Sequence, residues 1–406
     1  MDSVVSHDNK ISYSDIGKFL YFLALGVYLF YAELVTTNFT PFFDLVFLRK
    51  IYNISTIILI SIKIIVFDHY TVKELMKIML FVLLGAITTI VSHYDIILIT
   101  YLFVVGAKDI SLYKIVKFQF IIVLIFVVSA FFASQAGIIE NTITYRDNIP
   151  RQSFGIVYCT DFAAHIFYLM ISYIYLIGNK LKYGSILILS VITIWVYRNC
   201  DARLDCICML VLILFLFYRK IKSDMHNIPM YQIPKTAWLE KLLMWSMPIC
   251  ALFSVSISYF FNTNSTFWTV LNGILNNRLT QGSKALKMYS FNMFGQIVEV
   301  QGQVGINTNL SDYFFIDSSY LLYGLRYGIV FLLVLCFGSL IFMKRELKKN
   351  NAIFCILFFL IAVNSCFSHH LAELAYNPFI LFFFADTIYH PNINDNCNRK
   401  RVIFMI

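Results

Sequence analysis

The chain alternates long apolar runs with short polar connections between residues 16 and 389. A helix that crosses a bilayer needs about twenty mainly apolar residues, and about twelve runs approach or meet that length. They lie at 16–37, 51–67, 78–93, 95–107, 117–134, 158–178, 184–197, 204–218, 242–261, 320–342, 352–368 and 376–389. The runs at 95–107 and 184–197 are short, so a re-entrant segment is an alternative for each. The pattern predicts an all-α, polytopic membrane bundle of about twelve transmembrane helices.

One polar stretch interrupts this pattern between the ninth and tenth runs. Residues 262–319 contain no long apolar run. From 267 to 294, apolar residues keep helical spacing with basic residues between them, which predicts one or two amphipathic helices at the membrane interface. From 295 onward, glycines and polar residues predict turns and a short hairpin. We interpret 262–319 as a large loop with a binding or catalytic surface, within a single integral membrane domain, 1–406.

Composition excludes a soluble protein and argues against a nucleic-acid-binding protein. The chain is 59% hydrophobic and only 14% charged, and its mean hydropathy is +0.74. The net charge of +9 comes largely from lysines in short loops between apolar runs, where membrane topology explains them. The nine cysteines lie mostly inside apolar runs, and Cys206 and Cys208 lack the second pair of a zinc site. We therefore interpret the cysteines as small buried hydrophobic residues rather than zinc ligands.

The basic residues also predict orientation. With the N-terminus inside, the inner connections are richer in basic residues, so both termini are predicted to be cytoplasmic and 262–319 extracytoplasmic. Lysine predominates in the inner connections and arginine in the outer ones. A guanidinium group offers donors in a fixed fork that matches phosphate oxygens, whereas lysine is a point charge. The outer arginines therefore suggest phosphate recognition, with anchoring to lipid headgroups as the alternative.

Two outer connections before the insert supply candidate arginines. In 135–157, Pro150 and Gly155 break any helix, so Arg151 is expected on an irregular loop, together with Arg146. The connection from Arg198 to Arg203 lies between two apolar runs. Arginines so close to hydrocarbon need either a carboxylate or an anionic ligand. The carboxylates that could serve are Asp201 and Asp205.

The insert and the tenth run supply the remaining candidates. Arg278 lies in the amphipathic part of the insert, while Asp317 and Tyr320 stand at the mouth of the tenth run. Arg326 lies about two turns deeper. An arginine within a spanning segment is a functional candidate by default, with an internal ion pair as the alternative.

Several short motifs at these positions resemble those of one family. They are R-Q-S-F-G at 151–155, the arginine-bearing connection before the eighth run, L-N-G-I-L-N-N-R-L at 271–279 in an insert that ends in F-G, and D-S-S-Y followed by L-R-Y-G-I at 317–329. Together with the layout of the runs, they make residues 15–390 similar to the Wzy-type polymerases of bacterial surface polysaccharides, which are related to the O-antigen ligases.

The resemblance implies a membrane glycosyltransferase in the bacterial cytoplasmic membrane that uses no metal and no cofactor. Such an enzyme polymerises oligosaccharide repeat units linked to undecaprenyl diphosphate into O-antigen, capsule or exopolysaccharide on the outer face of that membrane. Donor and acceptor are both lipid-linked, and a chain-length regulator and a flippase of the same pathway are possible partners. The site residues expected to bind the diphosphate or the substrate are Arg151, Arg198, Arg203, Arg278, Arg326 and Tyr320.

The catalytic base stays open at this point. Related ligases are associated with a histidine in the large external loop, but 262–319 contains no histidine. His370, with its neighbour His369, is one substitute, and Asp317 and Glu299 are others. We name Asp317 and His370 as the catalytic candidates.

Two other functions also fit parts of this sequence. A flippase for lipid-linked oligosaccharide also needs about twelve helices, but such transporters usually show two related halves and short loops. The insert argues against that alternative. A polytopic O-acyltransferase would need a histidine within a helix, for which His165 is the candidate, and we expect His165 to be satisfied within the bundle.

Overall fold

The structure is a computed structural model that describes residues 13–146, 148–227, 230, 236–302 and 313–387. Helices dominate it, and two short strands pair as an antiparallel hairpin. The elements are α1 Tyr13–Thr36, α2 Leu45–Ile62, α3 Val72–Ser92, α4 Asp95–Gly106, α5 Leu112–Gln135, β1 Ile143–Arg146, β2 Ile149–Gln152, α6 Cys159–Ile177, α7 Tyr183–Cys200, α8 Arg203–His226, α9 Ala237–Met244, α10 Ser246–Tyr259, α11 Thr266–Ile274, α12 Arg278–Met288, α13 Ser319–Arg326, α14 Ile329–Lys348 and α15 Ala352–Asn364.

The apolar helices make the chain a multi-pass, mainly helical membrane protein, as predicted. Within the described ranges, six helices are long and apolar enough to cross a membrane, and the bent pair α9–α10 adds a seventh if it forms one span. The helices α4 and α15 are apolar but shorter. The predicted number of about twelve crossings and the predicted orientation are not tested by these features and stay predictions.

The last predicted run, 376–389, is not an α-helix over its described part. It forms a 3-10 helix of six residues, Pro378–Phe383, which at about 2.0 Å per residue cannot span a bilayer. Gln119 of α5 donates a hydrogen bond of 2.7 Å to the carbonyl of Ala375, and the backbone of Asp386 pairs with the start of α5. The prediction of a long helix at 376–389 is therefore wrong for the described residues. Irregular backbone is tolerated at membrane depth where the surrounding protein satisfies its polar groups.

The tenth predicted run is broken into α13 and α14, and the insert is tied to the break. The backbone N–H of Ile329 donates to the carbonyl of Asn292 at 2.9 Å, and that of Gln296 donates to the carbonyl of Arg326 at 3.1 Å. Gly295 has a φ of +93°, and a Cβ at this position would collide with the Arg326 carbonyl oxygen. Glycine is required for this close backbone approach, so the F-G motif has a structural role.

The insert 262–319 contains two short helices, α11 and α12, in the part for which one or two were predicted. Gln301 and Phe314 form an antiparallel bridge with hydrogen bonds of 2.7 and 3.1 Å, and they enclose 303–312, which lie outside the described residues. The interfacial and extracytoplasmic position of the insert stays a prediction.

Candidate functional site

A small cleft joins the insert to the helical bundle. Its walls come from α10, α12, the start of α13 and the segment after α15, and it is lined by Ser254, Ile257, Ser258, Arg278, Leu279, Gly282, Ile316, Asp317, Ser318, Leu321, Cys366 and Phe367. Arg278 Nε and Asp317 Oδ2 lie 3.4 Å apart, with side chains only 14% and 21% exposed. Arg278 Nη1 is buried without a hydrogen-bond partner among the described residues. A buried N–H donor without a hydrogen bond costs free energy. Arg278 Nη1 is therefore available to donate to an anion that enters the cleft.

Asn272 fixes the position of Arg278. Its Oδ1 accepts hydrogen bonds from the backbone N–H groups of Leu279 and Thr280, at 3.1 and 3.2 Å. Its Nδ2 donates to Asn277 Oδ1 at 3.0 Å. These contacts cap the N-terminus of α12, where backbone N–H groups lack helical partners. The motif L-N-G-I-L-N-N-R-L therefore encodes a turn that places Arg278 as the first residue of α12.

We expect Asn272→Ala to lower the free energy of unfolding by about 0.5–2 kcal/mol, because the first turn of α12 loses its cap. Thermal unfolding of the purified protein in detergent measures this change. The exposed Asn264, also in the insert, gives a matched control, and Asn264→Ala should leave the unfolding temperature unchanged. Equal unfolding temperatures for wild type and Asn272→Ala would contradict the capping role.

The helix α13 positions the histidine pair. Ser319 Oγ donates to the carbonyl of Ser368 at 2.6 Å and accepts from the N–H of Leu371 at 3.2 Å. Tyr323 donates its hydroxyl to the carbonyl of His369 at 2.5 Å. Because Asp317 precedes the same helix, α13 sets the position of the histidines and of the cleft carboxylate together.

His370 lies between two carboxylates. Its Nδ1 is 2.8 Å from Glu373 Oε2, its Nε2 is 3.7 Å from Asp161 Oδ1, and the residue is only 3% exposed. Burial by itself lowers the pKa of His370, but Glu373 and Asp161 raise it to about 10. The ring is therefore charged at neutral pH and has no lone pair to accept a proton. In this state His370 contributes positive charge to the site.

His369 has the opposite character. Its ring centroid lies 3.9 Å from that of His370. Burial and the charge of His370 lower the pKa of His369. His369 is consequently neutral at neutral pH and keeps a lone pair.

Electrostatic contacts connect the cleft with the histidine pair. Asp205, in the first turn of α8, accepts a hydrogen bond of 2.8 Å from Asn364 and interacts electrostatically with Arg278 and His370. Tyr313 is half-buried, and burial and Asp317 raise its pKa, so its hydroxyl stays protonated. Arg278, Asp317, Asp205 and His370 thus belong to one polar region at the same end of the bundle.

A second arginine group lies on the β1–β2 hairpin. The loop 135–157, expected to be irregular, instead forms this hairpin, in which Arg146 pairs with Ile149 and Thr144 with Arg151. Directly paired residues share a face, and so do residues two apart along a strand, so Arg146 and Arg151 project from the same face. Arg151 Nε donates to the carbonyl of Cys200 at 2.8 Å, while its Nη2 is buried without a partner among the described residues.

Asp201 neutralises part of this second group. Its carboxylate lies 3.0 Å from Arg146 Nη1 and 3.0 Å from Arg203 Nε. Arg203 was expected to need either a carboxylate or an anionic ligand, and in the structure it pairs with the carboxylate of Asp201. Arg198 lies in the same connection but is exposed at the end of α7.

Arg326 and Tyr320 lie apart from the cleft. Arg326 Nη2 donates to the carbonyl of Val298 at 3.3 Å, and its guanidinium carbon lies 4.2 Å from the ring centroid of Tyr94. Its Nε is buried without a partner among the described residues. Tyr320 is fully buried and donates to the carbonyl of Ala362 at 2.9 Å. Tyr320 therefore packs within the bundle and offers no surface to a substrate.

The sequence alone does not reveal which carboxylates accompany Arg278 and His370 in this site. They are Asp161, Asp205 and Glu373. Asp161 and Asp205 each stand in the first turn of an apolar helix. Ionisable residues within apolar segments usually pair with one another and mark functional sites, and this signal could have found both. From the sequence, Asp205 is a candidate partner only for Arg198 and Arg203.

Comparisons of the chain with protein-family models, curated proteins and solved structures found no match.

Proposed function

We propose that the protein is a membrane glycosyltransferase that polymerises lipid-diphosphate-linked oligosaccharide repeat units into a surface polysaccharide. The observation that supports this proposal best is Arg278, whose buried Nη1 has no partner among the described residues in a cleft beside a carboxylate. Arg151 offers a second buried nitrogen, Nη2, which has no partner within the described part of the chain. Positively charged forks held in partly buried sites suit a diphosphate, because guanidinium groups bind its oxygens two at a time.

The chemistry of the cleft is compatible with sugar transfer. The bond from the anomeric carbon to the diphosphate oxygen breaks, and a bond from that carbon to the acceptor hydroxyl oxygen forms. Arg278 stabilises the charge that develops on the leaving diphosphate, with His370 as a nearby second cation. When the diphosphate takes the donors of Arg278, the carboxylate of Asp317 is released to accept the proton of the acceptor hydroxyl.

The proposal extends to the setting of the reaction. We place it on the outer face of the bacterial cytoplasmic membrane, with undecaprenyl diphosphate as the lipid carrier and both termini in the cytoplasm. A chain-length regulator and a flippase of the same pathway are the expected partners. The apolar helices support a membrane enzyme that meets its lipid carrier within the bilayer.

Purified protein with one synthetic lipid-diphosphate repeat unit tests the proposal. We expect consumption of the monomer and a ladder of polymers on a gel, and no ladder from the corresponding lipid monophosphate. The same preparation in vesicles should be assayed for movement of the lipid-linked unit between leaflets. Movement without a ladder would overturn the proposal in favour of a flippase.

A further inference from the structure

Three potential ligands converge beside the cleft: Asp161, His369 and His370. One ligand atom from each lies within 4.8 Å of the other two, and His370 Nε2 is already 3.7 Å from Asp161 Oδ1. Tetrahedral zinc with bonds of about 2.0–2.1 Å to its ligands keeps ligand atoms about 3.4 Å apart. A metal ion therefore needs only small side-chain movements to fit between these three groups.

Glu373 supplies the support that such a site requires. Its Oε2 lies 2.8 Å from His370 Nδ1, on the side of the ring away from Asp161. A histidine that binds a metal through one nitrogen almost always donates its other N–H to a carboxylate or carbonyl, which fixes the ring and raises its basicity. His370 has this arrangement, with Nε2 directed toward Asp161.

We propose that Asp161, His369 and His370 bind one divalent transition-metal ion of the zinc type, oriented by Glu373. Two imidazole ligands select zinc, cobalt or a similar ion over Mg²⁺ and Ca²⁺, which prefer oxygen. Three protein ligands leave the fourth tetrahedral position to water. The carboxylates of Asp161 and Glu373 balance the two positive charges of the ion.

The position of the site allows a metal ion to reach it. The side chain of Glu373 is 34% exposed and those of His369 and Asp161 are 19% and 17% exposed, whereas His370 is almost fully buried. The ion would therefore bind at the solvent-facing side of the histidine pair. This inference goes beyond the proposed transfer reaction, which needs no metal, and its test uses no sugar substrate.

The test is a titration of tag-free, full-length protein in detergent with Co²⁺ and Zn²⁺ after removal of metals with a chelator. We expect one ion per chain and the visible absorption bands of tetrahedral Co²⁺, without a thiolate-to-cobalt band from the cysteines. Asp161→Asn and His369→Ala should weaken binding at least about 10-fold because each removes a ligand. Glu373→Gln should weaken it by about 10–100-fold.

His226→Ala provides the matched control, because His226 is exposed at the end of α8. Binding by this variant should equal that of the wild type. If His369→Ala fails to purify as a folded protein, the near-isosteric Asp161→Asn and Glu373→Gln decide the question. The proposal is overturned if the wild type shows no saturable binding, or if these variants bind Co²⁺ as tightly as the wild type does.

Discussion

Replacing Arg278 by alanine is expected to reduce polymer formation from a lipid-diphosphate repeat unit by at least about 100-fold. Removal of one preorganised donor to a developing negative charge typically costs about 10²–10³ in rate. Arg278 supplies a charged donor whose Nη1 has no partner among the described residues, so its loss removes both charge and hydrogen bonding from the leaving group. The rate of monomer consumption under single-turnover conditions measures the effect.

Two further variants separate this role from a structural one. Arg278→Lys keeps the charge but loses the fork, so we expect it to recover part of the lost rate. Arg49 forms a comparable ion pair of 2.9 Å with Asp95, but it is 56% exposed and lies outside the cleft. Arg49→Ala should transfer sugar at the wild-type rate. A well-folded Arg278→Ala protein that forms the normal ladder would contradict the proposed diphosphate site.

Asp317→Asn is expected to slow transfer by about 10²–10⁴-fold, which is the range that a positioned general base contributes. Asparagine keeps the shape of the side chain and can still accept a hydrogen bond from Arg278, but it cannot take the proton of the acceptor hydroxyl. We therefore expect the rate at saturating substrate to fall while binding of the lipid-linked donor persists. Single-turnover rates and donor binding, measured on the same preparation, distinguish these two effects.

Asp95→Asn is the corresponding control, because Asp95 pairs with Arg49 in the exposed ion pair. Its rate should match that of the wild type. If Asp317→Asn also matches the wild type, another group accepts the proton, and Asp317 serves only to hold Arg278.

Much of the helical layout follows from the apolar runs alone. The helices α1 to α8 lie within several residues of their predicted runs, because a long apolar stretch favours a helix whose backbone groups are satisfied internally. The error at 376–389 has a physical cause. Asn377 caps a helical segment that begins at Pro378, but this segment ends as a short 3-10 helix at Phe383. Contacts with α5 satisfy part of the neighbouring irregular backbone, and sequence periodicity does not reveal such contacts.

The candidate site was predictable only in part. Arg278 and Asp317 are predictable candidates because they stand in the polar insert and at its end, and the structure brings them together. The contact between Asp161 and His370 joins distant parts of the chain, so no local pattern indicates it. Arg198 was chosen by its charge and its place in a connection, and neither property determines whether a side chain points inward.

The approach of Gly295 to the carbonyl of Arg326 has a consequence for the geometry of the whole site. This contact holds one end of α13, while the other end carries Asp317 and contacts the turn before His369. A Cβ at Gly295 would collide with the Arg326 carbonyl, so any side chain there would force the end of α13 to move. Because α13 holds both the carboxylate and the imidazole pair, their placement against the rest of the bundle depends on a residue that has no side chain.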